Sequence, residues 1–384
     1  MRMKNRDKNL SGYIIGAALL MLIIFVPLGT LARMCLQRIP ITQYSENILG
    51  KYKLIGLNTR FTQAISGGEY MESNEVLLGK DGWMFYKTET DGTPLHDYMG
   101  INSFSGDELA RVYGNFCDVS ETIYYHRVKL RAEKGRPLFL PERDAIENSY
   151  GLAVLTVPNK EQVYSAYMPD TVEKISDGSR LTQLTDYIGD KGQGILMMNR
   201  YVPPWTYTDI SGVFKYAYDK YPLYYKTDTH WTDVGAYLAL TKVMDTINES
   251  DALSGKTGYM GQTDNKMSAA VLDDVTFNAE PGFVGDLTKI SATSDRFSDI
   301  TYRIDGDSIP DKYKTNQKLL IVGDSFGDSL QHVAKYCYGE VRFLDIKEYS
   351  DKFEDELDTY QPDLVIFECV ERYLPRLINL ESVE

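Results

Sequence analysis

The stretch that most narrows the choice of fold is 318–330, KLLIVGDSFGDSL. Leu319, Leu320, Ile321 and Val322 form a short run of branched apolar residues that stops at Gly323. Asp324 and Ser325 then open an amphipathic stretch to about Tyr338. This reads as strand, tight turn and helix. The alternation continues with a strand over Val341 to Ile346, a helix near Asp351 to Tyr360 and a strand over Asp363 to Glu368. Such alternation predicts an α/β fold, doubly wound, with a mostly parallel sheet, right-handed crossovers and helices on both faces. Ligands of such sheets bind beyond the carboxyl ends of the strands. Ser325 and Glu368 both fall at such ends.

A serine at a strand-to-helix turn sits where unpaired N–H groups and the positive end of the helix dipole favour developing negative charge. Its own N–H and those of Phe326 and Gly327 are therefore candidate oxyanion donors. The simpler reading is that Asp324 or Ser325 only caps the helix. A base for Ser325 must be one of four histidines, His96, His126, His230 or His332. His332 is seven residues into the serine's own helix and should point back along it. His96 and His126 lack a nearby acid in a turn context. His230 follows Asp228 by two residues in YKTDTHWTDVG, just before Thr232 or Asp233, which cap a helix to about Glu249. One loop can then present both the imidazole and the carboxylate that orients it, and Asp228, His230 and Ser325 are the parts of an acyl-transfer triad, recognised by role rather than chain order. The competing reading is a helix-entry loop in which Asp228 caps, His230 is a satisfied polar residue and Trp231 packs.

Upstream, Leu77 to Tyr86 is apolar on both sides of Lys80-Asp81-Gly82, a hairpin signal. Ser105-Gly106-Asp107-Glu108 is a capping box that opens a helix to about Lys134. Ala153 to Val157 reads as a buried strand, and its loop holds Asn159 and Lys160. Asn159 either lends an amide to the oxyanion or fixes its own turn. Ser179 to Ile188 reads as helix and Ile195 to Met198 as a short strand. Residues 250–317 are polar and irregular apart from Ile300 to Ile304, and are expected to be an insertion or lid. Glu371 and Arg372 are expected to pair as ions behind the serine loop, and Trp231, Arg372 and Tyr373 are candidate substrate contacts.

Arg2, Lys4, Arg6 and Lys8 precede a run from Asn9 to Ala32 without a charge. This predicts a cytoplasmic tail at 1–10, a single transmembrane anchor at 11–33, a membrane-proximal connector at 34–75 and an extracytoplasmic domain at 76–384. A cleaved signal peptide is the competing reading, though Thr30-Leu31-Ala32 is a poor cleavage site. The formal charge of −14 disfavours nucleic acid as a partner. Cys35, Cys117, Cys337 and Cys369 follow no metal spacing, so no metal or other cofactor is expected. Cys117, Cys337 and Cys369 read as core fillers, and outside the cytoplasm Cys337 and Cys369 are also available to pair, though nothing in the sequence demands it.

Asp228-Thr229-His230-Trp231, Gly323-Asp324-Ser325-Phe326 and the 79–86 stretch GKDGWMFY together resemble SGNH-hydrolase-like proteins of the alginate O-acetyltransferase and DHHW group. Val157-Pro158-Asn159-Lys160, Gly285-Asp286-Leu287 and the 368–373 stretch ECVERY add to the match, which runs from about residue 76 to 376. Thr229 stands where the DHHW name expects a second histidine, and there is no Gly-x-Asn-Asp block of ordinary SGNH esterases. The resemblance implies an SGNH-like sheet domain and O-acetylation of an exported polysaccharide. It also implies acetyl supply by a membrane-bound O-acyltransferase partner. An acetylesterase with the same three residues, and a polysaccharide-binding or assembly subunit without turnover, are the alternatives.

Overall fold

Between Val76–Leu78 (β1) and Met84–Tyr86 (β2) the chain reverses and the two strands pair antiparallel. Asp81 and Gly82 make the reversal at φ of 54° and 76°, the left-handed region that glycine enters freely and aspartate more readily than most residues. The computed structural model describes residues 27–34, 36, 76–87, 94–133, 151–192, 202–253, 259–261, 264–282 and 299–382. The chain divides into two compact units, Met1–Glu75 and Val76–Glu384. In the first, residues 27–34 are helical. Among the described residues no helix is long and apolar enough to cross a membrane. The predicted tail, most of the anchor and nearly all of the connector lie outside the described residues.

In the second unit the hairpin is followed by Pro94–Met99 (α1), Gly106–Glu133 (α2), Leu152–Val157 (β3), Lys160–Val163 (α3), Arg180–Gly192 (α4) and Trp205–Asp209 (β4). Next come Ser211–Ala217 (α5), Asp233–Leu253 (α6), Tyr259–Met260 (β5), Asn265–Ala269 (α7), Phe277–Gly282 (β6) and Asp299–Ile304 (β7). Lys318–Gly323 (β8), Gly327–Ala334 (α8), Glu340–Asp345 (β9), Tyr349–Thr359 (α9) and Leu364–Val370 (β10) complete the series, and a 3-10 run over Glu371–Ser382 follows. The capping box at α2 is made: Ser105 N–H and Oγ both reach Glu108 Oε2, at 2.7 and 2.8 Å, and Glu108 N–H returns to Ser105 Oγ at 3.3 Å.

Six strands form one parallel sheet in the order β5-β4-β3-β10-β8-β9. Strand side chains alternate between two cores, because successive residues of a strand face opposite ways. Ala153, Leu155, Val157, Leu319, Ile321 and Ile366 pack on one face with residues of α5, α6 and α8. Leu152, Val154, Leu320, Val322, Val365 and Phe367 pack on the other with residues of α2, α4 and α9. Each such aliphatic side chain, fully buried, is worth roughly 1.5–3 kcal/mol.

The structure departs from expectation in three places. Strand β4 follows Pro203-Pro204, whereas the strand predicted at Ile195 to Met198 lies outside the described residues. Helix α8 ends at Ala334 rather than near Tyr338, because the chain turns there with Cys337 N–H and Tyr338 N–H both on Ala334 O. The described part of 250–317 is more regular than expected: β5 extends the main sheet, and β6 and β7 form an antiparallel pair. Its Gly285-Asp286-Leu287 lies outside the described residues. Of the two readings of Cys337 and Cys369, core filling holds: both are buried free thiols, the first in the core under α8 and the second on the opposite face of the sheet.

Candidate active site

Three adjacent strands end at one rim. β10 lies between β3 and β8, so Val157, Val370 and Gly323 bring Pro158-Asn159-Lys160, Glu371-Arg372 and Asp324-Ser325 together at the carboxyl edge of the sheet. This is where the order of the strands reverses, the usual place for a ligand crevice. Opposite this rim, residues 224–231 form a narrow loop closed by an antiparallel bridge between Tyr224 and Trp231. Tyr225 N–H bonds His230 O at 3.1 Å, and Thr232 N–H bonds Leu223 O at 2.9 Å. Thr232 Oγ1 then caps α6 by accepting from Val234 N–H at 3.1 Å. Asp228 and His230 thus flank the tip of a braced loop.

The three sequence candidates meet there. His230 Nδ1 lies 2.7 Å from Asp228 Oδ1, which also accepts the His230 backbone N–H at 3.0 Å. His230 Nε2 lies 2.8 Å from Ser325 Oγ. The carboxylate therefore faces one ring nitrogen and the hydroxyl the other, which suits an imidazole that accepts a proton from serine. The side chains of Asp228 and His230 are 10% and 28% exposed, so the pair is sheltered while the ring edge reaches solvent. The Phe326 ring packs against the imidazole with centroids 5.0 Å apart.

The candidate oxyanion donors separate. Phe326 N–H donates to Asp324 Oδ1 at 2.9 Å and Gly327 N–H to Asp324 O at 2.9 Å. Both are thus consumed inside the turn, because an aspartate there accepts from the backbone two residues on. Ser325 N–H is the member of the set left without a protein acceptor among the described residues. Asn159 is fully buried, and its amide donates to Asp97 Oδ2 at 3.2 Å while its carbonyl accepts Arg372 N–H at 3.3 Å. It ties the ends of β3 and β10 to α1, which is neither of the two expected roles, since its side chain makes no cap bond in its own turn.

The candidate substrate contacts are corrected in part. Trp231 has no exposed surface, and its indole Nε1–H donates to Phe326 O at 2.9 Å, so it joins the histidine loop to the serine turn. The Arg372 guanidinium lies 5.0 Å from the Phe326 ring and 5.0 Å from the half-buried Tyr373 ring. Glu371 does not pair with it; Glu371 Oε2 accepts Asn159 N–H at 3.0 Å. Glu371 turns inward beneath the rim, away from its neighbour. Of the other histidines, His126 Nδ1 sits 2.7 Å from Asp358, an acid far away in sequence, and His332 Nδ1 sits 2.9 Å from Asp233.

Two supports of the site were not foreseen. Asp324 Oδ2 accepts Val370 N–H at 2.9 Å, so this one carboxyl joins the serine turn to β10. Beneath it, Glu368 is fully buried and packs under Gly323, where a Cβ would lie 2.6 Å from Glu368 Oε2. Burial holds Asp324 above the ordinary carboxylate range, against the pull of Arg372 and of its two N–H donors. Burial, with the Asp324 charge adding to it, pushes Glu368 well above that range. The signal available in sequence was a carboxylate inside an otherwise apolar strand, LVIFECV. Lys160 is the second support; its Nζ donates to Tyr225 O, Lys226 O and Asp228 O at 3.2, 3.4 and 2.7 Å.

Comparison with known proteins adds the following. Residues 143–332 match the family model described as SGNH hydrolase-like domain, acetyltransferase AlgX, a span that contains Asp228, His230 and Ser325. No curated protein matches the chain. Among solved structures, the O-acetyltransferase domain of Pseudomonas putida AlgJ is similar at 18% identity and TM-score 0.44, over 79% of this chain and 98% of that one. A DHHW family protein from Eubacterium siraeum is similar at 14% identity and TM-score 0.46, over 82% and 97%. Bacillus cereus PatB1 with a sulfonyl adduct is similar at 13% identity and TM-score 0.42, over 80% and 100%. Residues 143–332, which hold all three members of the Asp-His-Ser cluster, are thus similar to the SGNH hydrolase-like domain of acetyltransferase AlgX.

Proposed function

We propose that this chain is a serine O-acetyltransferase that passes acetyl groups through an acyl-serine at Ser325 to hydroxyls of an exported polysaccharide. The observation that carries the reading is the unbroken line of contacts from Asp228 to His230 Nδ1 and from His230 Nε2 to Ser325 Oγ, at 2.7 and 2.8 Å. Asp228 holds the proton on Nδ1, which leaves Nε2 free to take the proton of Ser325. Ser325 Oγ attacks the acyl carbon of the donor, and the negative charge that builds on the carbonyl oxygen faces the Ser325 N–H. His230 returns the proton to the leaving group as the donor bond breaks. A sugar hydroxyl then gives its proton to His230 and attacks the acyl-serine; as the bond from the acyl carbon to Ser325 Oγ breaks, His230 passes that proton to Oγ, and the sugar ester leaves.

The matched family, an acetyltransferase one, supports acetyl as the group transferred and a polysaccharide as the acceptor. The uncharged run from Asn9 to Ala32 behind a basic start supports a membrane anchor with the enzyme domain outside the cytoplasm. In this scheme a membrane-bound O-acyltransferase supplies the acetyl group across the bilayer. The test is an acetyl-ester donor assay with and without an oligosaccharide acceptor. Ester appearing on the sugar supports transfer, release of acetate alone makes the chain an esterase, and sugar binding with neither makes it a binding subunit.

A further inference from the structure

Two sequence motifs, the 79–86 hairpin and Val157-Pro158-Asn159-Lys160, lie outside the triad yet converge on the loop that carries Asp228 and His230. Lys160, at the start of α3, is 2% exposed. Its ammonium lies over the Trp83 and Phe85 rings, 5.8 and 5.4 Å from their centroids. From there it donates to three carbonyls of the loop, and the 2.7 Å bond to Asp228 O belongs to the residue that orients the imidazole. The hairpin grips the same segment, since Met84 N–H donates to Lys226 O at 3.0 Å. The next residue, Glu161, accepts Tyr86 N–H on Oε1 at 2.9 Å, which fastens the hairpin to α3. A buried ammonium is costly unless its donors are satisfied. This one has its donors aimed at loop carbonyls, where apolar packing alone would not fix the direction of the loop.

We propose that Lys160 is a positioning residue for the acyl-transfer reaction, with its ammonium and the 79–86 hairpin forming a clamp that holds Asp228 and His230 against Ser325. The inference rests on the reading of Ser325 as nucleophile and adds the element that keeps the base in place. Loss of the three donors frees the 225–228 backbone, and a displacement of about 1 Å at a catalytic group costs about 100-fold in rate.

The experiment compares the wild-type chain with Lys160→Met, which keeps the length of the side chain without its donors, and with Lys160→Arg, which keeps charge and donors. Covalent labelling of Ser325 by phenylmethanesulfonyl fluoride is timed by mass spectrometry and expressed per folded molecule, with the folded fraction from near-ultraviolet circular dichroism. Hydrogen exchange is followed in peptides covering 225–232 and β3, in the Ser325→Ala background as well. The expected result is a labelling rate about 100-fold lower in Lys160→Met, partial recovery in Lys160→Arg, and faster exchange confined to 225–232. Unchanged labelling per folded molecule, no recovery in Lys160→Arg, or exchange rising equally in β3 overturns the clamp. Failure of wild-type Ser325 to label would instead strike the reading of the nucleophile, and the exchange data in Ser325→Ala would still decide the clamp.

Discussion

Replacing Asp324 with alanine removes the single carboxyl that holds the serine turn to the sheet. In the native chain its two oxygens accept Phe326 N–H and Val370 N–H, each at 2.9 Å and each buried. Alanine leaves both donors without an acceptor, at about 1–3 kcal/mol apiece. Relief of repulsion with Glu368, which burial and Asp324 together push well above the usual range, offsets a minor share. The expected loss is therefore about 4 kcal/mol, and Asp324→Asn, whose carbonyl can serve one N–H, should lose about half as much. Urea denaturation followed by fluorescence measures both, with the slope against denaturant unchanged if the native surface is intact. A loss under about 1 kcal/mol for alanine would refute the strap. So would an asparagine variant no better than alanine.

Further outcomes follow from the same contacts. Gly323→Ala brings a Cβ within 2.6 Å of Glu368 Oε2, and overpacking of this kind should cost about 1–3 kcal/mol by urea denaturation. Trp231→Phe deletes the bond to Phe326 O; the orphaned carbonyl should cost about 2 kcal/mol and slow Ser325 labelling more than it shifts substrate affinity. Burial, and then the charge of Asp97, pushes Glu371 up to about 7 from an ordinary 4.5. A carboxyl raised on folding binds more protons in the native state, so its contribution is present below about pH 4.5 and lost as pH rises through about 7. Glu371→Gln should flatten that part of the stability profile in denaturation at stepped pH, and an unaltered slope would count against it.

The order of strands and helices after residue 318 was legible because a buried parallel strand reads as a continuous apolar run bounded by turn residues. The convergence of Asp228, His230 and Ser325 was legible for a different reason: with four histidines, and one of them two residues from an aspartate ahead of a helix cap, few partners for Ser325 remained. Strand β4 was missed because Trp205-Thr-Tyr-Thr-Asp carries polar threonines at buried positions, where side-chain periodicity gives no warning. The oxyanion set was misread since helix-start geometry was assumed to leave N–H groups open, whereas the aspartate before the serine captures Phe326 N–H and its carbonyl captures Gly327 N–H. An aromatic residue beside His230 reads as a substrate contact or as packing, and for Trp231 the packing alternative holds. Its bond to Phe326 O joins segments 95 residues apart, which no local pattern records. Lys160 was hidden likewise, as its acceptors are backbone carbonyls and carry no sequence signature.

The most direct test of the account is peptide mass analysis after the chain is mixed with an activated acetyl ester and quenched in acid. The account predicts an acetyl group on the peptide that carries Ser325, formed roughly 10²–10⁴-fold more slowly in His230→Ala and absent in Ser325→Ala. Acetyl transfer that persists in Ser325→Ala, or an acetyl group found only on another residue, would contradict it.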